Sequence, residues 1–175
     1  MHLTAQARYD ADVPAVVAML ADERFVEAKV RASGALSQHV DVVGPPDEAF
    51  TVTTRRQMPT SGIPAQFRSL VGATLEARQV EAWEAPDADP QATRRGTVVV
   101  EIIGAPVRLT GRIRLVPTDD GSTTQQVEAE LKASVPLFAA AVEEATATAV
   151  RAAFDAEQRT AAVWLTGGAG ATTDG

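Results

Sequence analysis

The feature that most constrains this chain is a change of hydrophobic period. Up to Ala133 the dominant pattern is strand-like alternation of apolar and polar side chains. From about Ser134 to Leu165 it becomes helical. That last segment is loaded with alanine, at positions 139, 140, 141, 145, 147, 149, 152, 153, 156, 161 and 162. A long helix lying across a curved antiparallel sheet must supply bulk to fill the space between them. Alanine leaves the space open, and an open apolar space is where a small ligand can sit. The stripe Val135, Phe138, Val142, Ala145, Ala149, Ala153 and Ala156 is expected to face the sheet, with Glu144, Arg151, Asp155, Gln158 and Arg159 elsewhere on the helix.

Ahead of this helix the spacing predicts seven strands and two short helices. His2 to Tyr9 forms the first strand. Asp12 caps a helix carrying Val13, Val16, Val17 and Leu20, with Pro14 tolerated in its first turn. Asp22 caps a second, with Phe25, Val26, Lys29 and Val30, which ends by Gly34. Leu36, Gln38, Val40 and Val42 then share one strand face. Phe50, Val52, Thr54, Arg56 and Met58 share the next, and Leu75, Ala77, Gln79, Glu81 and Trp83 another whose polar members blur which face is inward. Between these two lies a non-alternating insert, Ser61 to Val71, in which Ile63, Phe67, Leu70 and Val71 fit a turn or two of helix. It reads equally as a lid over a cavity mouth or as a core plug.

After a polar loop from Ala85 to Thr93, the strand Arg94 to Ile103 is apolar on both faces around Val98, Val99 and Val100, as a central strand is. The last hairpin permits a register argument. Val107, Leu109, Gly111, Ile113 and Leu115 lie on one side, and Gln125, Val127, Ala129, Leu131 and Ala133 on the matching side of the partner. A two-residue turn would set inward residues against outward ones. A three-residue loop, Asp119 to Gly121 with its glycine left-handed, sets Ile113 opposite Val127 and Arg112 opposite Glu128 as an exposed ion pair.

Composition narrows the function classes. The 175 residues suit one domain, residues 1–166, followed by a small polar tail, 167–175, expected to be disordered. No cysteine is present, which removes disulfides, thiolate metal sites and cysteine nucleophiles. The two histidines, His2 and His39, stand outside any ligand-like spacing, so no metal and no cofactor is expected, and no serine nucleophile finds a base. A net charge of −7 argues against nucleic acid as a partner. There is no apolar run long enough to span a membrane and no basic-then-apolar leader, so a cytoplasmic location is expected.

The order strand, two short helices, six strands, long helix resembles the α+β helix-grip fold of the START/Bet v 1-like (SRPBCC) superfamily, a curved seven-stranded antiparallel sheet wrapped around a C-terminal helix. Within it the chain resembles a largely actinobacterial family of unknown function (domain of unknown function 2505). The resemblance rests on Val13-Pro14-Ala15-Val16-Val17-Ala18-Met19-Leu20-Ala21-Asp22, on Gly62-Ile63-Pro64 with Phe67 and Leu70-Val71-Gly72, and on Trp83 ending its strand. It implies a cavity, since the superfamily holds lipid carriers, aromatic polyketide cyclases, hormone receptors and chaperone activators. It implies no catalytic residue.

The expected cavity lining is Val52, Arg56, Ile63, Phe67, Gln79, Glu81, Trp83, Val98, Val100, Leu109, Ile113 and Val127, joined from the helix by Phe138, Val142, Ala145 and Ala149. Arg56 stands out, because alternation turns it inward. There it needs an anion, which is either Glu81 or a ligand carboxylate, unless its stem lies on apolar surface and its head reaches water. The leading expectation is a binder of a hydrophobic or amphipathic small molecule, lipid or polyketide-like. The alternatives are a cyclase or aromatase steering its substrate with Arg56, Glu81 and Gln79, and a non-catalytic interaction module of the chaperone-activator kind.

Overall fold

The computed structural model describes residues 1–61, 63, 65–66, 68 and 72–167. Its elements are β1 (His2–Tyr9), α1 (Val13–Leu20), α2 (Glu23–Ala32), β2 (Ser37–Val43), β3 (Phe50–Pro59), β4 (Thr74–Trp83), β5 (Arg94–Ile103), β6 (Val107–Pro117), β7 (Thr123–Ala133) and α3 (Ala139–Leu165). The seven strands form one curved antiparallel sheet in the order β1-β7-β6-β5-β4-β3-β2, which wraps around α3. Both early helices start where a side chain replaces a missing backbone acceptor. Asp12 Oδ1 accepts from Ala15 N at 3.0 Å, and Asp22 Oδ1 from Arg24 N at 2.9 Å.

Register places like with like on the concave face. One row runs Val52, Glu81, Val98, Gly111, Ala129, Leu3 across six strands, and the next runs Thr54, Gln79, Val100, Leu109, Leu131. Gly111 sits where β6 and β7 approach most tightly. A Cβ there would lie 2.5 Å from both the Ala129 Cβ and the Glu128 carbonyl oxygen, so only glycine fits. Ile113 pairs with Val127 and Arg112 with Glu128, as the alternation requires, and Thr118 N donates to Ser122 O at 2.9 Å to close the loop from Asp119 to Gly121. Glu128 forms its ion pair with Arg114, at 2.9 Å, and not with Arg112: the diagonal guanidinium reaches the carboxylate across the twist.

The long helix differs from expectation in two respects. It starts at Ala139 and not near Ser134, because Leu137 takes a left-handed backbone (φ 65°) where the chain leaves β7, and Ser134 N is engaged by Pro106 O at 2.9 Å. Its buried positions are Ala147, Ala156, Glu157 and Ala161, whereas Ala149 is exposed and Ala145 half-buried. Alanines stand all round this helix, so they do not select its inward face. The bulky side chains Val150, Phe154 and Trp164 do, packing against the core, with the Trp164 ring edge-on to Phe25 at 5.5 Å. The helix rests mainly on α2, β1 and β7, and a small space remains between it and the buried concave residues of β5 and β6. In the insert, Ile63 is half-buried with its N–H bonded to Thr60 O, while Phe67, Leu70 and Val71 lie outside the described residues, as does the tail from 168 to 175.

Candidate functional site

That small space is a cavity of about 70 Å³ between sheet and helices. Its apolar wall is Val98 and Val100 of β5, Leu109 and Ile113 of β6 and Val127 of β7, faced by Val150, Ala153 and Phe154 of α3. Its other end is polar, built by Lys29 of α2, Ser33 just past the end of α2, Arg56 of β3, Gln79 and Glu81 of β4, Gln125 of β7 and Glu157 of α3.

These polar groups form one connected network. Lys29 Nζ lies 2.8 Å from Glu157 Oε2 and 3.4 Å from Glu81 Oε1, all three side chains being buried. Glu81 also accepts from Gln79 Nε2 at 2.7 Å and from the Trp83 indole N–H at 3.3 Å. Gln79 in turn accepts from Arg56 Nη2 at 3.2 Å. At the far end Tyr9 Oη lies 2.7 Å from Glu157 Oε1 and 2.6 Å from Gln125 Oε1. A phenol has one proton, and the carboxylate is the stronger acceptor, so that proton goes to Glu157. Gln125 then serves the phenol oxygen with its carboxamide turned to donate.

The electrostatics follow from burial and pairing. Burial pulls the Lys29 ammonium down, but Glu157 and Glu81 more than offset it, so its pKa rises above that of an ordinary lysine. Burial, reinforced by Glu157, raises the Tyr9 phenol well above its usual range and keeps it a neutral donor. Burial lowers the Arg56 guanidinium, with Glu81 and Glu157 opposing from a distance. Two carboxylates and two cations leave the polar end neutral as a whole, yet the compensation is uneven: Lys29 has both carboxylates in contact and Arg56 neither.

Of the expected lining residues, Arg56, Gln79, Glu81, Val98, Val100, Leu109, Ile113 and Val127 meet at this cavity. Others stand apart from it. Val52 is cross-strand to Glu81 in the core, and Trp83 stacks on Phe50 with ring centroids 6.2 Å apart, supporting Glu81 from beside the cavity. Ile63 is in the insert, Phe138 is at the helix start, and Val142, Ala145 and Ala149 lie on turns and faces of α3 that do not border the cavity. Phe67 falls outside the described residues. Sequence reasoning missed Lys29, Glu157 and Tyr9. Two carried a usable signal, a charge inside an apolar helical stripe: Lys29 between Phe25, Val26 and Val30, and Glu157 between Phe154 and Ala161.

A curved antiparallel sheet gripping a C-terminal helix, with a cavity between them, defines the helix-grip fold. Residues 4–165 match the model of a family described as protein of unknown function (DUF2505), and the chain belongs to that family. No curated protein matches the sequence. Solved structures share the fold at low identity. A protein from Thermus thermophilus superposes with a TM-score of 0.60 at 12% identity, covering 92% of this chain and 97% of its own. The Zhui aromatase/cyclase from Streptomyces sp. R1128 gives 0.55 at 13%, covering 92% and 90%. A START superfamily protein from Mycobacterium smegmatis gives 0.54 at 11%, covering 90% and 94%. Among the described residues no helix is long and apolar enough to cross a membrane.

Proposed function

We propose that the protein binds a hydrophobic or amphipathic small molecule in the cavity between the sheet and α3. The observation that carries this reading is a cavity whose wall of Val98, Val100, Leu109, Ile113 and Val127 is apolar and ends in a polar cluster. At about 70 Å³ the cavity falls short of the roughly 300–1,000 Å³ of a drug-sized site, so a lipid or polyketide-like body requires α3 to move off the sheet. The alanines of α3 suit such movement, since small side chains interlock little with their neighbours. Native mass spectrometry of freshly purified protein tests the reading. A retained organic mass is expected; repeated absence of one, together with no uptake of apolar dyes, overturns it.

One observation favours a second reading, an enzyme of the cyclase or aromatase kind, which is what the Streptomyces relative's description names. Arg56, Gln79 and Glu81 converge on the cavity together with the acidic Glu157, so groups able to steer a polar substrate and move a proton border one space. Turnover of a poly-β-ketone substrate that disappears in Glu157→Gln supports this reading; unchanged turnover in that variant removes Glu157 from it.

A further inference from the structure

The uneven compensation of buried Lys29 and half-buried Arg56 indicates what kind of ligand the cavity takes. Among the described residues, the only group bonded to the Arg56 guanidinium is a neutral carboxamide, through one of its five N–H donors, at 3.2 Å. No described carboxylate lies within ion-pair distance of it, although it borders a cavity that holds two. A second group, on the same strand face but not itself bordering the cavity, has unmet capacity. The Thr54 hydroxyl is buried without a hydrogen-bond partner, directly across the β3–β4 pair from Gln79 and two residues along the strand from Arg56. Buried polar atoms are seldom left as the Thr54 hydroxyl is, and beside it the spare N–H donors of half-buried Arg56 suit an oxygen-rich group.

We propose that the ligand is an amphipathic organic carboxylate, its head held by Arg56 and its apolar body lying on Val98, Val100 and Leu109. The inference rests on the reading of the cavity as a ligand site and adds the chemical class. A planar carboxylate matches the planar guanidinium with two parallel hydrogen bonds. Charge count ranks a monoanionic head above a dianionic one. Lys29 with Glu81 and Glu157 is net negative by one, and Arg56 brings the wall to neutrality. A monoanion therefore leaves one negative charge in a low-dielectric space, and a phosphate dianion leaves two.

The test compares two probes of equal chain length, octanoate and 1-octanol, by calorimetric titration at neutral pH on the parent protein, Arg56→Gln and Arg56→Lys. The parent is expected to bind octanoate about tenfold more tightly than octanol, the scale of one good charge-assisted hydrogen bond. Arg56→Gln should erase that preference by weakening octanoate far more than octanol, and Arg56→Lys should keep part of it. Octanol binding as tightly as octanoate overturns the carboxylate assignment and leaves the cavity reading standing. Equal loss of both probes in Arg56→Gln overturns the assignment too. If neither probe binds the parent, the carboxylate assignment falls, while the cavity reading is decided by the native mass spectrum and dye uptake. Should Arg56→Gln not fold, the parent comparison and Arg56→Lys decide the matter.

Discussion

Lys29 is the residue on which three elements converge, since its ammonium on α2 meets Glu81 of β4 and Glu157 of α3. Lys29→Met leaves two buried carboxylates without their contacting cation and should cost about 3–5 kcal/mol in urea denaturation. Adding Glu157→Gln should recover part of that loss, because Glu81 keeps Gln79 and Trp83 as donors. The pH dependence has a defined sign. The native pKa of Lys29 is raised above 10.5, so its contribution is complete below that value and is lost as pH rises through the native pKa. The stability gap between parent and Lys29→Met should therefore stay constant from pH 7 to about pH 10 and narrow above it. A gap that already narrows between pH 7 and 9 would show that Lys29 is not held as an ammonium. At this scale the sequence was half legible. Strand alternation brought Arg56, Gln79 and Glu81 to the cavity wall, but which cation meets which carboxylate depends on where two helices land, and no periodicity encodes that.

Strands and helices differ in how much of their facing is written in sequence. A strand has two faces, and one apolar set selects between them, which is why the β6–β7 register followed from turn length and alternation alone. A helix has a continuum of faces, and alanine on every side of α3 leaves the choice to a few bulky residues. Ala149 and Ala147 separate the two accounts of that helix. With Ala149 exposed, Ala149→Leu should change stability by no more than about 0.5 kcal/mol. Ala147 is fully buried, so Ala147→Leu should cost about 1–3 kcal/mol in thermal denaturation. The reverse ranking would place α3 in the rotation expected from its alanine stripe. In the sheet, Gly111→Ala forces a Cβ onto the backbone of β7 and should cost a similar 1–3 kcal/mol.

For the molecule as a whole, the order of elements was legible in full and the size of the cavity was not. Element order follows from local period, whereas a void is a difference between large packed volumes and depends on how far α3 lies from β3 to β6. Because that void is small, ligand entry should be a movement and not a simple filling. Octanoate at one hundred times its Kd should stabilise the protein by about 2.7 kcal/mol. Amide hydrogen exchange should meanwhile change along residues 147–157 of α3 and stay constant in the centres of β5 and β6. Uniform slowing across the whole chain would indicate that the ligand fits without displacing the helix.

The buried ammonium at the meeting point of α2, α3 and β4 also makes the protein its own clock. Among 16 basic residues only two are lysines, Lys29 and the exposed Lys132 on the outer face of β7. An acylating reagent should modify Lys132 at the rate of a free amine, and the terminal amine of Met1 soon after. It can reach Lys29 only when α2, α3 and β4, which clasp it, move apart. The delay before the last mass increment therefore times the spontaneous opening of the clasp, with Lys132 as the internal standard, and needs no engineered label.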